Sequence, residues 1–289
     1  MNEKKPILVA GASGALGIEM VKILHARGEK LRVLTSSNDG VEMLTPYTRD
    51  IWKGDASKEF DHLKNITSGI DMIISALGNS VSLFTNNHTS FYKTDYLTNK
   101  HILEDAERNA VKRFVYISIK GAEENMDAEV AKGHRIFEKA LQDSAIDHTI
   151  IRPVGFFSGI NDLIIMAKRK FIPVIGNGEA KTNSIHHCDL AKVATDILRE
   201  GPELMEIGGP EVHTRKEMAE MISENFGGQV VEVPESIAEM GIVFSKVFED
   251  FHDKLEYFKY ITTHDMIGEK HGSTTFKEYL KSLDKKQLP

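Results

Sequence analysis

Cysteine is nearly absent from this 289-residue chain, and the one thiol, Cys188, excludes an internal disulfide. No cysteine pair stands at metal-binding spacing, so the expected compartment is reducing and cytoplasmic. Long apolar runs are missing as well. None approaches the roughly 20 residues a membrane helix needs. The start, Met1-Asn-Glu-Lys-Lys-Pro6, leads straight into a short apolar stretch and lacks the pattern of a signal peptide. There is no basic excess either. With 36 Lys and Arg against 43 Asp and Glu, the net charge is −7, which disfavours direct nucleic-acid binding. Internal repeats and low-complexity segments are lacking. What is present is an ordinary globular composition, 41% hydrophobic and 27% charged, in a chain long enough to bury a core without staples.

Short β-branched runs alternate with longer amphipathic stretches. Strands are expected at 6–10, 31–35, 50–54, 71–75, 113–118 and 148–152. Helices are expected at 16–27, 95–109 and 127–144. Alternation of this kind requires crossover connections, hence a parallel sheet covered on both faces. The fold class expected is α/β, a Rossmann-like doubly wound sheet. After Pro153 glycine and proline cluster, and the rhythm changes. Helices are expected at 189–198 and 215–224, the latter capped by Thr214 and Glu217 as a capping box. The chain therefore divides into a dinucleotide-type domain, 1–155, and a C-terminal part, 156–289. The latter is mainly a substrate-side subdomain that also returns elements to the sheet. The polar tail from Lys281 is expected to fray.

The first βα turn reads Gly11-Ala-Ser13-Gly14-Ala15-Leu16-Gly17. Unpaired amides and the helix dipole at such a turn favour a phosphate. Gly11 permits the tight turn, Gly14 lets a pyrophosphate approach the backbone, and Gly17 lets the helix lie close on the strand. The spacing is i, i+3, i+6 rather than the i, i+2, i+5 of the common fingerprint. A glycine-rich turn without a ligand is the alternative. Ligands of open α/β sheets bind at the carboxyl ends of strands, which brings in Ser36, Asp55-Ala56, Ala76-Leu77-Gly78, Ser118 and Pro153. An acid after the second strand would hold an NAD ribose, and an Arg would hold the NADP phosphate. Here Ser36 and Ser37 stand instead, and either form fits. Asp55 suits the adenine amino group, or equally a helix N-cap.

These motifs resemble an atypical, extended member of the short-chain dehydrogenase/reductase superfamily. Within it, the chain resembles the NmrA-like group and relatives near the nucleotide-binding accessory subunit of respiratory complex I. The resemblance rests on Gly11 to Gly17, Gly54-Asp-Ala56, Asp95-Tyr-Leu-Thr-Asn99, and Val111-Lys-Arg-Phe-Val-Tyr-Ile-Ser118. It continues through Thr149-Ile-Ile-Arg-Pro153, Ile185-His-His-Cys-Asp-Leu-Ala191 and Gly208-Gly-Pro-Glu-Val-His-Thr214. It implies a bound NADP or NAD, with NADP slightly favoured, in a crevice roofed by the C-terminal part.

Active members of that superfamily carry Tyr-x-x-x-Lys on a helix and a Ser near the end of the fifth strand. Here the helix runs Val130-Ala-Lys-Gly-His134-Arg-Ile-Phe-Glu138, so Val130 takes the Tyr place and His134 the Lys place. The Ser place falls at Ile119, beside Ser118. His134 is the candidate for a ribose contact and for a catalytic role. The alternative is a helix-surface pair with Glu138 four residues on. Tyr92 and Tyr96 are candidates for the missing phenol. Phe156 and Phe157 are candidates to line a small-molecule substrate pocket, with core packing as the alternative. His186, His187, Cys188 and Asp189 lack a second ligand set at zinc spacing, so no metal is expected. The expected function is an oxidoreductase moving hydride between a nicotinamide cofactor and a small carbonyl or quinone. The alternative is a non-catalytic dinucleotide sensor or assembly protein, which would present a surface to a protein partner.

Overall fold

The structure is a computed structural model that describes residues 4–54, 60–87, 89–124, 128–245 and 249–283. The strands are β1 (Ile7–Ala10), β2 (Leu31–Thr35), β3 (Asp50–Lys53), β4 (Met72–Ser75), β5 (Arg113–Ile117), β6 (Asp147–Pro153), β7 (Phe171–Ile175), β8 (Lys181–Thr182), β9 (Leu204–Gly208), β10 (His213–Thr214), β11 (Gln229–Val233) and β12 (Glu269–Lys270). The helices are α1 (Ala15–Ala26), α2 (Asn38–Leu44), α3 (Asn99–Arg108), α4 (Glu129–Gln142), α5 (Asn161–Lys168), α6 (His187–Asp196), α7 (Arg215–Phe226), α8 (Glu235–Ser245), α9 (Glu249–Thr263) and α10 (Phe276–Ser282).

Eight strands form one parallel sheet in the order β12-β9-β6-β5-β4-β1-β2-β3. Side chains alternate between its faces. Ile7 and Val9 of β1, with Val115 and Ile117 of β5, pack beneath α1 and α6. Leu8 and Ala10, with Phe114 and Tyr116, pack beneath α3 and α4. Both faces are therefore apolar, which is why the strands read as continuous apolar runs. A fully buried side chain such as Leu8 contributes about 1.5–3 kcal/mol, so a charge here would unfold the sheet.

From the β1–β4 pair the strand order runs outward to β2 and β3 on one side and to β5 and β6 on the other, and this switch point opens a crevice at the carboxyl ends of the strands. Residues after 155 divide between two places. The segment carrying α6, β9 and β12 returns to the large sheet. By contrast α5, α7, α10 and the β7–β11 pair close a second core around Phe157, Ile164, Ile172, Ile222 and Phe276.

Two details differ from the reading of the sequence. The helix expected from Asp95 begins with a π-helical stretch, Tyr92–Thr98, and becomes α-helical at Asn99. Lys281 and Ser282 complete α10 instead of fraying, and residues 284–289 lie outside the described residues. Asp55 and Ala56, the expected adenosine contacts, also lie outside the described residues. The capping box of α7 forms as expected, with Thr214 and Glu217 bonded reciprocally.

Candidate functional site

The glycine turn is shaped by its own backbone. Gly11 has φ +74°, and a Cβ there would lie 2.7 Å from the Ala76 carbonyl oxygen. At Gly17 a Cβ would come within 2.1 Å of the Gly11 oxygen. Both glycines are thus demanded by the protein itself. Gly14 differs. It is the N-cap of α1 in an extended conformation, and a Cβ there would meet no atom nearer than the Gly11 oxygen at 3.4 Å. Nothing in the fold forbids a side chain at Gly14, but one would enter the cavity this residue lines. A close-lying ligand such as a pyrophosphate accounts for that space.

That cavity measures about 630 Å³. Its lining includes Gly11, Gly14, Ala15, Leu16, Gly17, Ala76, Leu77, Gly78, Ser118, His134, Pro153 and Phe156. The structure therefore gathers most of the expected cofactor residues around one space. Ser13 stands apart, because its hydroxyl bonds Thr35 Oγ1 at 2.8 Å. Ser36 is exposed at the end of β2, and Ser37 caps α2 by accepting from the Gly40 amide at 3.0 Å. Phe157 is a correction. It is turned into the second core against Phe276 and Tyr279, each at a ring separation of 5.3 Å, so Phe156 alone of the pair reaches the cavity.

His134 is not a surface residue. It is buried on α4 facing the cavity, and its Nδ1 lies 2.6 Å from the Tyr116 hydroxyl. The expected alternative pairing with Glu138 does not form. Glu138 instead accepts from Ser118 Oγ at 2.5 Å and from Arg152 Nη2 at 2.6 Å. Burial lowers the His134 pKa to about 4, so the ring is neutral at physiological pH. Burial also holds Tyr116 well above the usual phenol range, with Asp95 and Glu138 adding to the effect. Tyr116 therefore remains a phenol. The phenol and the neutral imidazole thus share one hydrogen bond at Nδ1.

Behind His134 sits Asp95, which the π-helical stretch carries into the interior. Its Oδ1 accepts from the Asn79 amide at 2.9 Å and lies 3.8 Å from His134 Nε2. Its Oδ2 is buried without a partner. Burial raises this carboxyl well above its ordinary pKa, against the pull of the Asn79 amide. Gly78 leaves room for it, since a Cβ there would fall 2.7 Å from Asp95 Oδ1. Asn99 completes the frame by donating to the Asp95 carbonyl and accepting from Ser75 Oγ at 2.6 Å.

Val130, which the resemblance puts in the place of the usual tyrosine, packs in a buried cluster with Phe91 and Tyr257. Tyr92 is exposed and Tyr96 packs on the sheet side; neither lines the cavity. Of two further phenols that the sequence reading did not select, Tyr257 lines the cavity and Tyr116 lies fully buried beside His134. Tyr116 supports His134 from β5. Tyr257 reaches the cavity from α9 and donates to the Lys120 carbonyl at 3.1 Å. A phenol's position on β5 next to a recognisable strand end was the available signal for Tyr116. For Tyr257 the signal is the aromatic-rich run 247–260, whose sequence alone suits a pocket cover, a partner surface or, most simply, core packing.

The cluster His186, His187 and Cys188 brings its ligand atoms within 4.8 Å of one another. His186 Nδ1 is already engaged as the cap of α6, accepting from the Cys188 amide, and a helix N-terminus opposes a cation.

A glycine cradle at the switch point of a parallel sheet, open to an apolar compartment, defines a dinucleotide-binding protein of the Rossmann class. The chain belongs to the NAD(P)H-binding family, whose model matches residues 11–201. It is 24% identical over 229 residues to the mitochondrial NADH dehydrogenase [ubiquinone] 1 alpha subcomplex subunit 9 of Arabidopsis thaliana, covering 74% of this chain and 56% of that protein. It is 26% identical over 277 residues to the chloroplastic divinyl chlorophyllide a 8-vinyl-reductase of Cucumis sativus, covering 88% and 66%. The chain thus spans between about half and two thirds of the length of these curated relatives. Its fold matches an NADPH-dependent quinone oxidoreductase of Escherichia coli in complex with NADPH, with a TM-score of 0.72 and 17% identity over 95% of this chain and 98% of the other. No helix among the described residues is long and apolar enough to cross a membrane.

Proposed function

We propose that the protein is an NADPH-dependent reductase of a small conjugated carbonyl or quinone. The observation that carries this reading is the continuity of the cavity. From the glycine cradle it runs past His134 and Phe156 to side chains of α5, β7, α7 and α9. One end suits a dinucleotide, and the other offers an apolar compartment for an acceptor.

The cradle's helix N-terminus holds the pyrophosphate. NADPH is favoured over NADH because the end of β2 carries no acid to repel a ribose phosphate. Lys53 stands alongside at the end of β3, its ammonium 2.5 Å from Asn38 Oδ1. When bound, the dinucleotide supplies a hydride. His134 supplies a neutral Nε2–H donor beside the acceptor. With a pKa of about 4 it is a poor acid at neutral pH, so its role is to stabilise the oxygen that gains negative charge. Water then protonates that oxygen. Tyr116 fixes the tautomer, and Asp95 backs the ring.

The test is oxidation of NADPH by a naphthoquinone, comparing wild type with His134→Ala. Loss of one such donor typically costs on the order of a hundredfold in kcat, with NADPH affinity little changed. Equal turnover would remove His134 from the mechanism. A sensor or assembly role is the second reading, favoured by Val130 in the tyrosine's place. Tight NADPH binding without turnover across quinones and conjugated aldehydes would support it.

A further inference from the structure

The far wall of the cavity carries a cation whose hydrogen-bonding capacity is only partly used. Arg215, the first residue of α7, lines this compartment together with Pro173, Val174, Met218 and Tyr257. One guanidinium nitrogen, Nη2, donates to the Ile261 carbonyl. Nε is buried and has no partner. Arg215 takes part in no ion pair among the described residues. Burial lowers its pKa to about 10, against the opposing pull of Tyr257 and Asp265.

The carboxylate on the cavity wall does not serve it. Asp162 is occupied by Ser82 Oγ at 2.6 Å and the Leu83 amide at 2.7 Å. Asp265 accepts from the Lys181 amide at 2.7 Å. A second cation, Lys254, stands on the same wall, buried on α9 and donating to the Thr85 carbonyl at 2.6 Å. A buried charge left without a counter-charge is costly, and a guanidinium is the group that best grips a carboxylate through paired N–H donors.

We infer that the acceptor carries a carboxylate, and that Arg215 receives it at the far end of the compartment while the conjugated ring lies between Arg215 and His134. The substrate class is an aromatic or quinonoid acid, with an apolar body matched to the Val174, Met218 and Ile261 walls and one oxyanion matched to Arg215. This assignment rests on reading the far compartment as the acceptor's place.

The experiment uses two redox-inert probes of the same shape, naphthoate and its neutral carboxamide, titrated calorimetrically into the full chain saturated with NADPH. Wild type is expected to bind naphthoate at least about tenfold tighter than the amide, a factor worth about 1.4 kcal/mol. In Arg215→Gln that preference should vanish, and in Arg215→Lys part of it should remain. Melting temperatures show whether each variant folds, and the wild-type comparison stands even if neither does. Equal affinities in wild type, no binding of either probe, or a preference that survives in folded Arg215→Gln would each overturn the inference. Turnover of a neutral naphthoquinone is measured separately. Its absence would strike the reductase reading and leave the anion site to be judged on the titration alone.

Discussion

The two ends of the cavity are built from different materials. The cradle end is backbone, folded from the seven consecutive residues of the turn after β1 and the first positions of α1, and closed against the Ala76 carbonyl. The far end is side chains, delivered by α5, β7, α7 and α9 from well separated parts of the chain. A backbone cradle suits a phosphate that is always the same. A wall of side chains suits an acceptor that sets the protein's individual chemistry. His134 lines the same cavity and is tied to the sheet through Tyr116.

That contrast can be broken or sharpened by substitution. The largest effect is expected at Gly17. A Cβ 2.1 Å from the Gly11 oxygen cannot be relieved by a rotamer change, so Gly17→Ala should cost about 3 kcal/mol in denaturant unfolding. A variant as stable as wild type would mean that the turn is far softer than its contacts indicate.

Next comes the junction. The His134 pKa falls from 6.5 unfolded to about 4 folded. The unfolded chain therefore binds the proton first, and stability contributed by the neutral ring is lost as pH falls through that window. It is fully retained above about 6.5. Compared with His134→Gln, wild type should lose on the order of 3 kcal/mol between those limits. Asp95, raised in the folded state, acts with the opposite sign in both proteins, so the comparison isolates His134. Parallel stability–pH curves for the two proteins would contradict its buried, neutral placement.

Gly14→Val should weaken NADPH binding at least about tenfold, or 1.4 kcal/mol. Its melting temperature should move little, because a β-carbon there meets only the Gly11 oxygen, at 3.4 Å. This result would separate ligand space from structural necessity within a single turn. The smallest effect belongs to the periphery. Lys53→Glu should raise the Kd for NADPH by about fivefold, as expected of an exposed charge worth roughly 1 kcal/mol, and leave NADH nearly unchanged. An equal change for both would move the ribose phosphate away from β3.

The same contrast explains what was legible in the sequence. Strand alternation and the Gly11–Gly17 turn are local signals, and the sheet, its helices and the cradle follow from them. His134 was singled out by its place on α4, but its partner was not. Glu138 is four residues away on the same helix, yet Ser118 and Arg152 claim it, and Tyr116 from the sheet claims the imidazole. Tertiary contacts outweighed helical spacing. Arg215 and Lys254 carried no mark of their own, and the aromatic run around Tyr257 left pocket cover, partner surface and core open, because only packing of α7 and α9 gives the three a common wall. Phe156 and Phe157 show the limit at its finest. Adjacent on the chain, they separate into cavity and core when β6 leads into the turn before α5.

The most direct test is calorimetric titration of wild type and Gly14→Val with NADPH and NADH. Wild type should bind NADPH more tightly than NADH, and the folded variant should lose that affinity. Failure of wild type to bind either dinucleotide at about millimolar concentration (a binding free energy of about −4 kcal/mol), or unchanged binding by the variant, would contradict the cradle.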